Sequence, residues 1–117
     1  MQGRRRPDQL LGDLPDDIQP GDYWKYLSNV HTGQALSAKA LYPSADVSGN
    51  LTDQVWGYAS PDGNGIGTLG MHTVREHDDG TISIRPGDGT SNSVLHSGGG
   101  RGLTWHGYVN HGRWEPC

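Results

Sequence analysis

The segment 72–85, which reads HTVREHDDGTISIR, constrains the fold more than any other part of the chain. It has the composition of a β-hairpin, because Asp78-Asp79-Gly80 supplies turn residues between two runs that contain β-branched residues. Two registers compete. A two-residue loop at 79–80 would place Val74 opposite Arg85, whereas a three-residue loop at 78–80, with Gly80 left-handed, places Val74 opposite Ile84. Only the three-residue loop gathers the aliphatic side chains on one face, so we predict that register.

The predicted register assigns each hairpin side chain to a face, because successive residues of a strand point to opposite sides. It pairs His77 with Thr81 and Glu76 with Ile82. The residues expected to face the core are Val74, Ile82 and Ile84, together with His72 and Glu76. Those expected to face water are Thr73, Arg75, His77, Thr81, Ser83 and Arg85. One histidine and one of the two glutamates of the chain are therefore predicted to lie on the apolar side.

The rest of the chain indicates an all-β protein with long glycine-rich loops. Short stretches rich in aromatic or β-branched residues, at 21–27, 55–58 and 103–109, are separated by turn residues, and no stretch has sustained helical periodicity. This pattern predicts a small antiparallel meander, sandwich or open barrel. The stretch 61–70, with four glycines, is expected to be irregular. Residues 1–20 are predicted to be a flexible, disordered N-terminal tail, and residues 21–117 a single β-rich domain.

Composition argues against several classes of function. The net charge of −4 does not suit a general nucleic-acid binder. The cluster Arg4-Arg5-Arg6 is interpreted as part of a solvated tail, with a tethering arm for nucleic acid as the alternative. No apolar run approaches the ~20 residues that a membrane-spanning helix needs, so a membrane is not expected as a partner. A single cysteine, Cys117, excludes an intramolecular disulfide, and together with the lack of a signal peptide it predicts a cytoplasmic protein.

Five of the six histidines follow residue 71, and such clustering suggests a metal site because neutral imidazole is the commonest metal ligand. The spacing matches neither HExxH nor a paired CxxC motif. Histidines that decorate strands and turns are the alternative interpretation. We expect no cofactor, and a Zn²⁺ site built by His72, His106 and His96 from separate strands is the alternative.

His72, Glu76 and His106 form the main candidate site. Polar groups on an apolar face cost ~1–3 kcal/mol each when unsatisfied, so His72 and Glu76 need partners, which the strand of His106 could supply. Either the three residues form a buried hydrogen-bond network, or they line a cleft in which a carboxylate orients an imidazole that acts as a base or ligand. Ser93, beside a glycine-rich loop, is a candidate nucleophile at the border of this site.

The same residues belong to a pattern that is similar to the C-terminal signature of a family of small, uncharacterised actinobacteriophage and bacterial proteins. The signature HxVxEHxDGT, WHGY and GxW corresponds to residues 72–81, 105–108 and 112–114, and the interval 86–92 departs from it. The resemblance implies a compact β fold and a phage or mobile-element origin. It assigns no activity, since the family is a domain of unknown function.

From these observations we expect a small phage-like binding or accessory module with a polar His/Glu pocket and a protein partner, located in the host cytoplasm if it is phage-encoded. A metal- or serine-dependent hydrolase, peptidase-like and using the same pocket, is the first alternative. A structural phage accessory protein without an active site is the second.

Overall fold

The computed structural model describes residues 1–10, 13–27, 54–69, 72–84, 94–97 and 103–116. Within these residues the chain forms β-strands and no helix, so the all-β prediction is confirmed. The strands are β1 (Gln9–Leu10), β2 (Tyr23–Leu27), β3 (Val55–Ala59), β4 (Ile66–Thr68), β5 (Arg75–Glu76), β6 (Ile82–Ser83), β7 (Val94–Ser97), β8 (Leu103–Asn110) and β9 (Arg113–Pro116). Ser93, Arg85 and Cys117 lie outside the described residues.

The strands form three sheets that are not closed into a barrel. The first has the order β1-β2-β3-β4, with β1 parallel to β2 and the other pairs antiparallel. The second is the hairpin β5-β6, and the third is the antiparallel sheet β7-β8-β9. Ile84 forms a bridge with Val109 of β8. β7 pairs with the first part of the same edge of β8, up to Gly107, and the end of the hairpin pairs with the part that follows.

The N-terminal segment connects the first and third sheets, in contrast to the tail that the sequence predicts. Gln2 forms a bridge with Arg113 of β9, and Arg5 forms a parallel bridge with Tyr23 of β2. The backbone N–H of Gly3 donates to the carbonyl oxygen of Gly112 at 2.7 Å. Residues 2–10 are therefore paired with the sheets.

The arginine cluster is held by carboxylates. Asp22 is fully buried, and its carboxylate accepts hydrogen bonds from Arg4 at 2.8 and 2.9 Å and from Arg6 at 2.9 Å. A buried carboxylate requires such partners, because an unpaired charge away from water is very costly. Arg5 binds Glu76 instead. Arg5 also contacts Asp8, three residues along the chain. The solvated cluster expected from sequence is replaced by ion pairs, and the acidic residues Asp22 and Glu76 lie 16 to 71 residues away from the arginines they bind.

Two apolar clusters lie on opposite faces of β2 and β3. The main core consists of Tyr23, Trp56, Tyr58, Leu69, Ile82, Ile84, Val94, Val109 and Trp114, with Val74 and Trp105 packed against it. The smaller cluster consists of Trp24, Tyr26 and Val55, with Ile18 packed against it. Residues 23 and 24 thus serve different cores, as alternation along a strand requires.

The stretch 61–70 is more regular than its glycines suggest, because β4 pairs with β3 through Gly57↔Thr68, Tyr58↔Gly67 and Ala59↔Ile66. Gly67 lies under the ring of Tyr58, and a Cβ there would come within 2.7 Å of the phenolic oxygen. The glycine therefore permits a close approach between strands.

The predicted hairpin register is confirmed. Glu76 pairs with Ile82 and Arg75 with Ser83, and the N–H of His77 donates to the carbonyl of Thr81 at 2.8 Å. Gly80 has a φ of 86°, the left-handed conformation that the three-residue loop needs. Ile82 and Ile84 are fully buried, and Arg75 is exposed, as predicted.

The predicted faces are wrong at several polar positions. Ser83 and Thr73, expected to face water, are only 2% and 5% exposed, and His77 is half-buried. The β8–β9 turn covers the side chain of Ser83: the N–H of His111 donates to Oγ of Ser83 at 2.9 Å, and the N–H of Gly112 holds the turn beside β6 by donating to the carbonyl of Ile82 at 2.8 Å. Both faces of β6 are consequently buried, which alternation within one hairpin could not reveal.

Candidate functional site

The hairpin and the β8–β9 turn meet at a group of polar residues that we call the histidine junction, defined as His77, Asp79, Ser83 and His111. The imidazole rings of His77 and His111 stack with their centroids 3.8 Å apart and an interplanar angle of 14°. His77 is half-buried and His111 is exposed. The junction therefore exposes the stacked imidazole pair to solvent, above the buried residue Ser83 of β6.

The turn that carries His111 has an unusual residue at its first central position. His111 and Gly112 connect the paired residues Asn110 and Arg113, and both central residues have positive φ, 47° and 78°. Positive φ at both positions is the geometry of a type I′ turn, for which Asn-Gly is the preferred sequence. A left-handed conformation costs an L-residue roughly 1–2 kcal/mol, and asparagine tolerates it best among residues with a side chain. The turn therefore carries a histidine where asparagine would be better suited.

Ser83 connects the two histidines. Its Oγ accepts the backbone N–H of His111 at 2.9 Å and lies 2.7 Å from Nε2 of His77. Because Ser83 is buried, its hydroxyl proton needs an acceptor, and the Nε2 lone pair of neutral His77 supplies one. This arrangement puts the ring proton of His77 on Nδ1. The amide of Gln2 adds a contact of 3.3 Å to the carbonyl of His111.

Asp79 provides the negative charge at the junction. Its Oδ1 accepts hydrogen bonds from the hydroxyl of Thr81 at 2.6 Å and from the Thr81 backbone N–H at 3.0 Å. These hydrogen bonds lower the pKa of the Asp79 carboxyl, and positive charge on the imidazole of His77 or His111, whenever either is protonated, lowers it further. The carboxylate is thus ionised beside the two imidazoles.

The geometry restricts the chemistry of the junction. Ser83 and His77 have the separation of a nucleophile and its base, but the buried Ser83 hydroxyl is only 2% exposed. Nearly parallel stacked rings direct their in-plane lone pairs into separate planes, so they cannot ligate one ion without a ring turning. In the described part of the chain, no group of three or more His, Cys, Asp or Glu residues could hold a metal ion.

Glu76, predicted to face the core beside His72, is instead 38% exposed and binds cations. Its carboxylate lies 2.7 Å from Nζ of Lys25 and 3.0 Å from Nη1 of Arg5. Partial burial raises the pKa of the Glu76 carboxyl, but hydrogen bonds and charge from Lys25 and Arg5 outweigh this and lower it below its ordinary value. Both cations also lie over the ring of Trp56, at 4.8 Å for Arg5 and 5.3 Å for Lys25. The partners of this carboxylate come from the N-terminal segment and β2, not from the strand of His106.

The other predicted residues occupy different places. His72 is half-buried at the start of the hairpin. His106 pairs with Leu95, which is 54% exposed, and it alternates along β8 with Trp105 and Val109, which pack on the main core. His106 therefore lies on the face of β8 opposite to the one that meets Ile84.

His96, the third residue of the possible zinc site, has both ring nitrogens engaged within the chain. Nε2 lies 2.9 Å from the carbonyl of Asn64, and Nδ1 lies 2.9 Å from the hydroxyl of Tyr58. Burial raises the pKa of Tyr58 to about 12. A metal ion could bind His96 only by displacing one of these contacts.

Sequence reasoning missed the histidine junction because Ser83 and His111 lie 28 residues apart, in different sheets. One local signal was present: Asn110-His111-Gly112 reads as a tight turn, and a histidine at a position with positive φ is worth attention.

Comparisons with known proteins leave this geometry as the main guide to function. No family model, curated protein or solved structure matches the chain. Among the described residues, no helix is long and apolar enough to cross a membrane.

Proposed function

We propose that this chain is a small binding module and that the histidine junction is its recognition surface. The observation that carries the proposal is the exposed ring of His111, held in a left-handed conformation against His77. Backbone strain of this kind persists where the surrounding structure enforces it and is concentrated at functional sites. The side chain is displayed on a tight turn between rigid strands, which is a common location for recognition residues.

The proposed partner is a protein. The junction combines two imidazoles, which donate and accept hydrogen bonds, with an ionised carboxylate, and such a mixed surface suits polar groups of a folded partner. Nucleic acid is disfavoured by the net charge of −4. It is also disfavoured because Arg4, Arg5 and Arg6 are all occupied by ion pairs with carboxylates. The resemblance to phage-encoded proteins favours the host cytoplasm as the place of binding.

Site-specific photo-cross-linking tests this proposal. A photoreactive amino acid replaces Asp78, beside the junction, in one variant and Ile66, exposed on β4, in a matched control. In lysate of the native host we expect one protein of defined mass to be captured at position 78 but not at 66. The capture should be lost when His111→Asn is added to the position-78 variant. Equal capture at both positions, or capture that survives His111→Asn, would contradict the proposal.

A serine hydrolase is the second candidate function, and the 2.7 Å contact between Ser83 Oγ and His77 Nε2 favours it. The burial of Ser83 weighs against it, because a substrate carbonyl must reach the hydroxyl. A fluorophosphonate probe distinguishes the two functions. Covalent labelling of Ser83 that disappears in His77→Phe would establish a nucleophile, and an unlabelled chain would leave the binding module as the better account.

A further inference from the structure

The pair of Tyr58 and His96 has a property that the binding function does not use. Both residues are 3% exposed, and the phenolic oxygen lies 2.9 Å from Nδ1 of the imidazole. The carbonyl of Asn64 accepts the proton on Nε2, so the neutral ring leaves a lone pair on Nδ1. The hydroxyl of Tyr58 therefore donates to His96, and a buried phenol is aimed at a base.

A row of aromatic rings connects this pair with the surface. The ring of Tyr58 lies 5.4 Å from that of Trp114, and Trp114 lies 5.6 Å from Trp105, centroid to centroid. Trp105 is half-buried and so reaches solvent, whereas Trp114 is 1% exposed. A radical formed by oxidation of Trp105 can therefore be transferred from ring to ring, through Trp114, as far as Tyr58.

Of the two buried members of this row, only Tyr58 can release a proton to a base. The indole N–H of Trp114 donates to the carbonyl oxygen of Gly21 at 2.7 Å, and a carbonyl is too weak a base to take the proton. The proton of Tyr58 can move to Nδ1 of His96. The resulting imidazolium keeps both of its hydrogen bonds, one to the phenoxyl oxygen and one to Asn64.

From this geometry we infer that Tyr58 and His96 form a redox-active tyrosine site, which receives oxidising equivalents through Trp105 and Trp114. An external one-electron oxidant of high potential removes one electron from Trp105. Trp114 then reduces the oxidised Trp105, and Tyr58 reduces the oxidised Trp114. As Tyr58 gives up its electron, its O–H bond breaks and the proton passes to His96. The products are a neutral tyrosyl radical, an imidazolium and the reduced oxidant. An electron from a reductant, with return of the proton, restores the pair. The site would draw damaging oxidation away from the surface indole.

Flash oxidation of the full chain with a photogenerated ruthenium(III) polypyridyl complex tests this inference. We expect an indole radical that is replaced by a tyrosyl radical. The tyrosyl signal should be lost in Tyr58→Phe, in which the indole radical should persist. Tyr23→Phe is the matched control, because Tyr23 is also buried in the main core and no hydrogen-bond partner of its hydroxyl is found in the described structure. A tyrosyl signal that survives Tyr58→Phe, or that is lost in Tyr23→Phe, would overturn the assignment.

A second measurement uses the unaltered chain, so it does not depend on the folding of a variant. Electron–nuclear double resonance of the freeze-trapped radical should show a hyperfine coupling to one exchangeable proton, the one that His96 now holds. That coupling should be lost when the protein is prepared in D₂O. A tyrosyl radical without an exchangeable coupling would show that the proton has left the pair, and would refute the role of His96.

Discussion

Replacing Ser83 with alanine removes the atom on which the histidine junction depends. The hydroxyl makes two hydrogen bonds, one with the backbone N–H of His111 and one with Nε2 of His77. A hydrogen bond contributes about 0.5–1.5 kcal/mol net to stability, and a donor left unsatisfied in a buried place costs more. The two bonds together give an expected loss of about 1–3 kcal/mol in the free energy of unfolding.

Urea denaturation measures this loss as a lower midpoint at an unchanged slope. Thr68→Ala, at an exposed position of β4, serves as the control and should change stability by less than about 0.5 kcal/mol. A double-mutant cycle with His77→Phe, which keeps a ring against His111, isolates the Ser83–His77 bond, with an expected coupling of about 0.5–1.5 kcal/mol. If Ser83→Ala behaves like Thr68→Ala, or the coupling is zero, the hydrogen bonds do not hold the junction together.

Three further changes test the ion pairs and the hairpin. Asp22→Asn should destabilise the fold by about 3–5 kcal/mol in thermal or urea unfolding. The amide cannot accept all the hydrogen bonds that Arg4, Arg6 and Gln19 donate, and the two guanidinium groups lose their counter-charge. A loss below ~1 kcal/mol would contradict the burial of this carboxylate. Glu76→Gln should cost up to about 1–2 kcal/mol at pH 7, since two partly exposed ion pairs are lost. The folded pKa of Glu76 is lowered, so its contribution is present above the ordinary glutamate value of about 4.3 and disappears as the pH falls through the folded value; a stability difference between wild type and variant that stays constant down to pH 3 would be inconsistent with this. Gly80→Val should cost more than ~1 kcal/mol of stability because a β-branched residue is strained at a φ of 86°. Gly80→Asn should cost less, because asparagine tolerates that conformation. Equal losses of the two variants in urea unfolding would argue against a left-handed residue at this position.

The register of the hairpin could be predicted from the local sequence pattern alone. Its register follows from two facts visible in the sequence, a glycine at the third loop position and aliphatic residues that share a face only when the loop has three residues. Both concern residues within one segment, and the structure agrees with both. Burial of Ser83 was not predictable in the same way, because the covering element, the β8–β9 turn, approaches from another sheet.

The errors at Glu76 and at the N-terminus have a shared physical cause. The sequence shows that a carboxylate near an apolar face needs a partner, but it does not show which distant side chain provides one. Arg5 and Lys25 provide it because the N-terminal segment pairs with β2 and places Arg5 beside the hairpin, while Lys25 lies on β2 itself. Charge clustering at Arg4-Arg5-Arg6 predicts a solvated tail, whereas each of the three cations has a specific acidic partner in the fold.

The most direct test of the central claim, that His111 is present for recognition and not for folding, is to compare stability with partner capture in His111→Asn. Asparagine relieves part of a left-handed strain of roughly 1–2 kcal/mol and forfeits a ring stack of roughly 0.5–1.5 kcal/mol. The free energy of unfolding should therefore stay within about 1 kcal/mol of wild type, while photo-cross-linking from position 78 should lose its captured partner. A variant that loses several kcal/mol of stability, or one that captures the same partner as efficiently as wild type, would contradict the account.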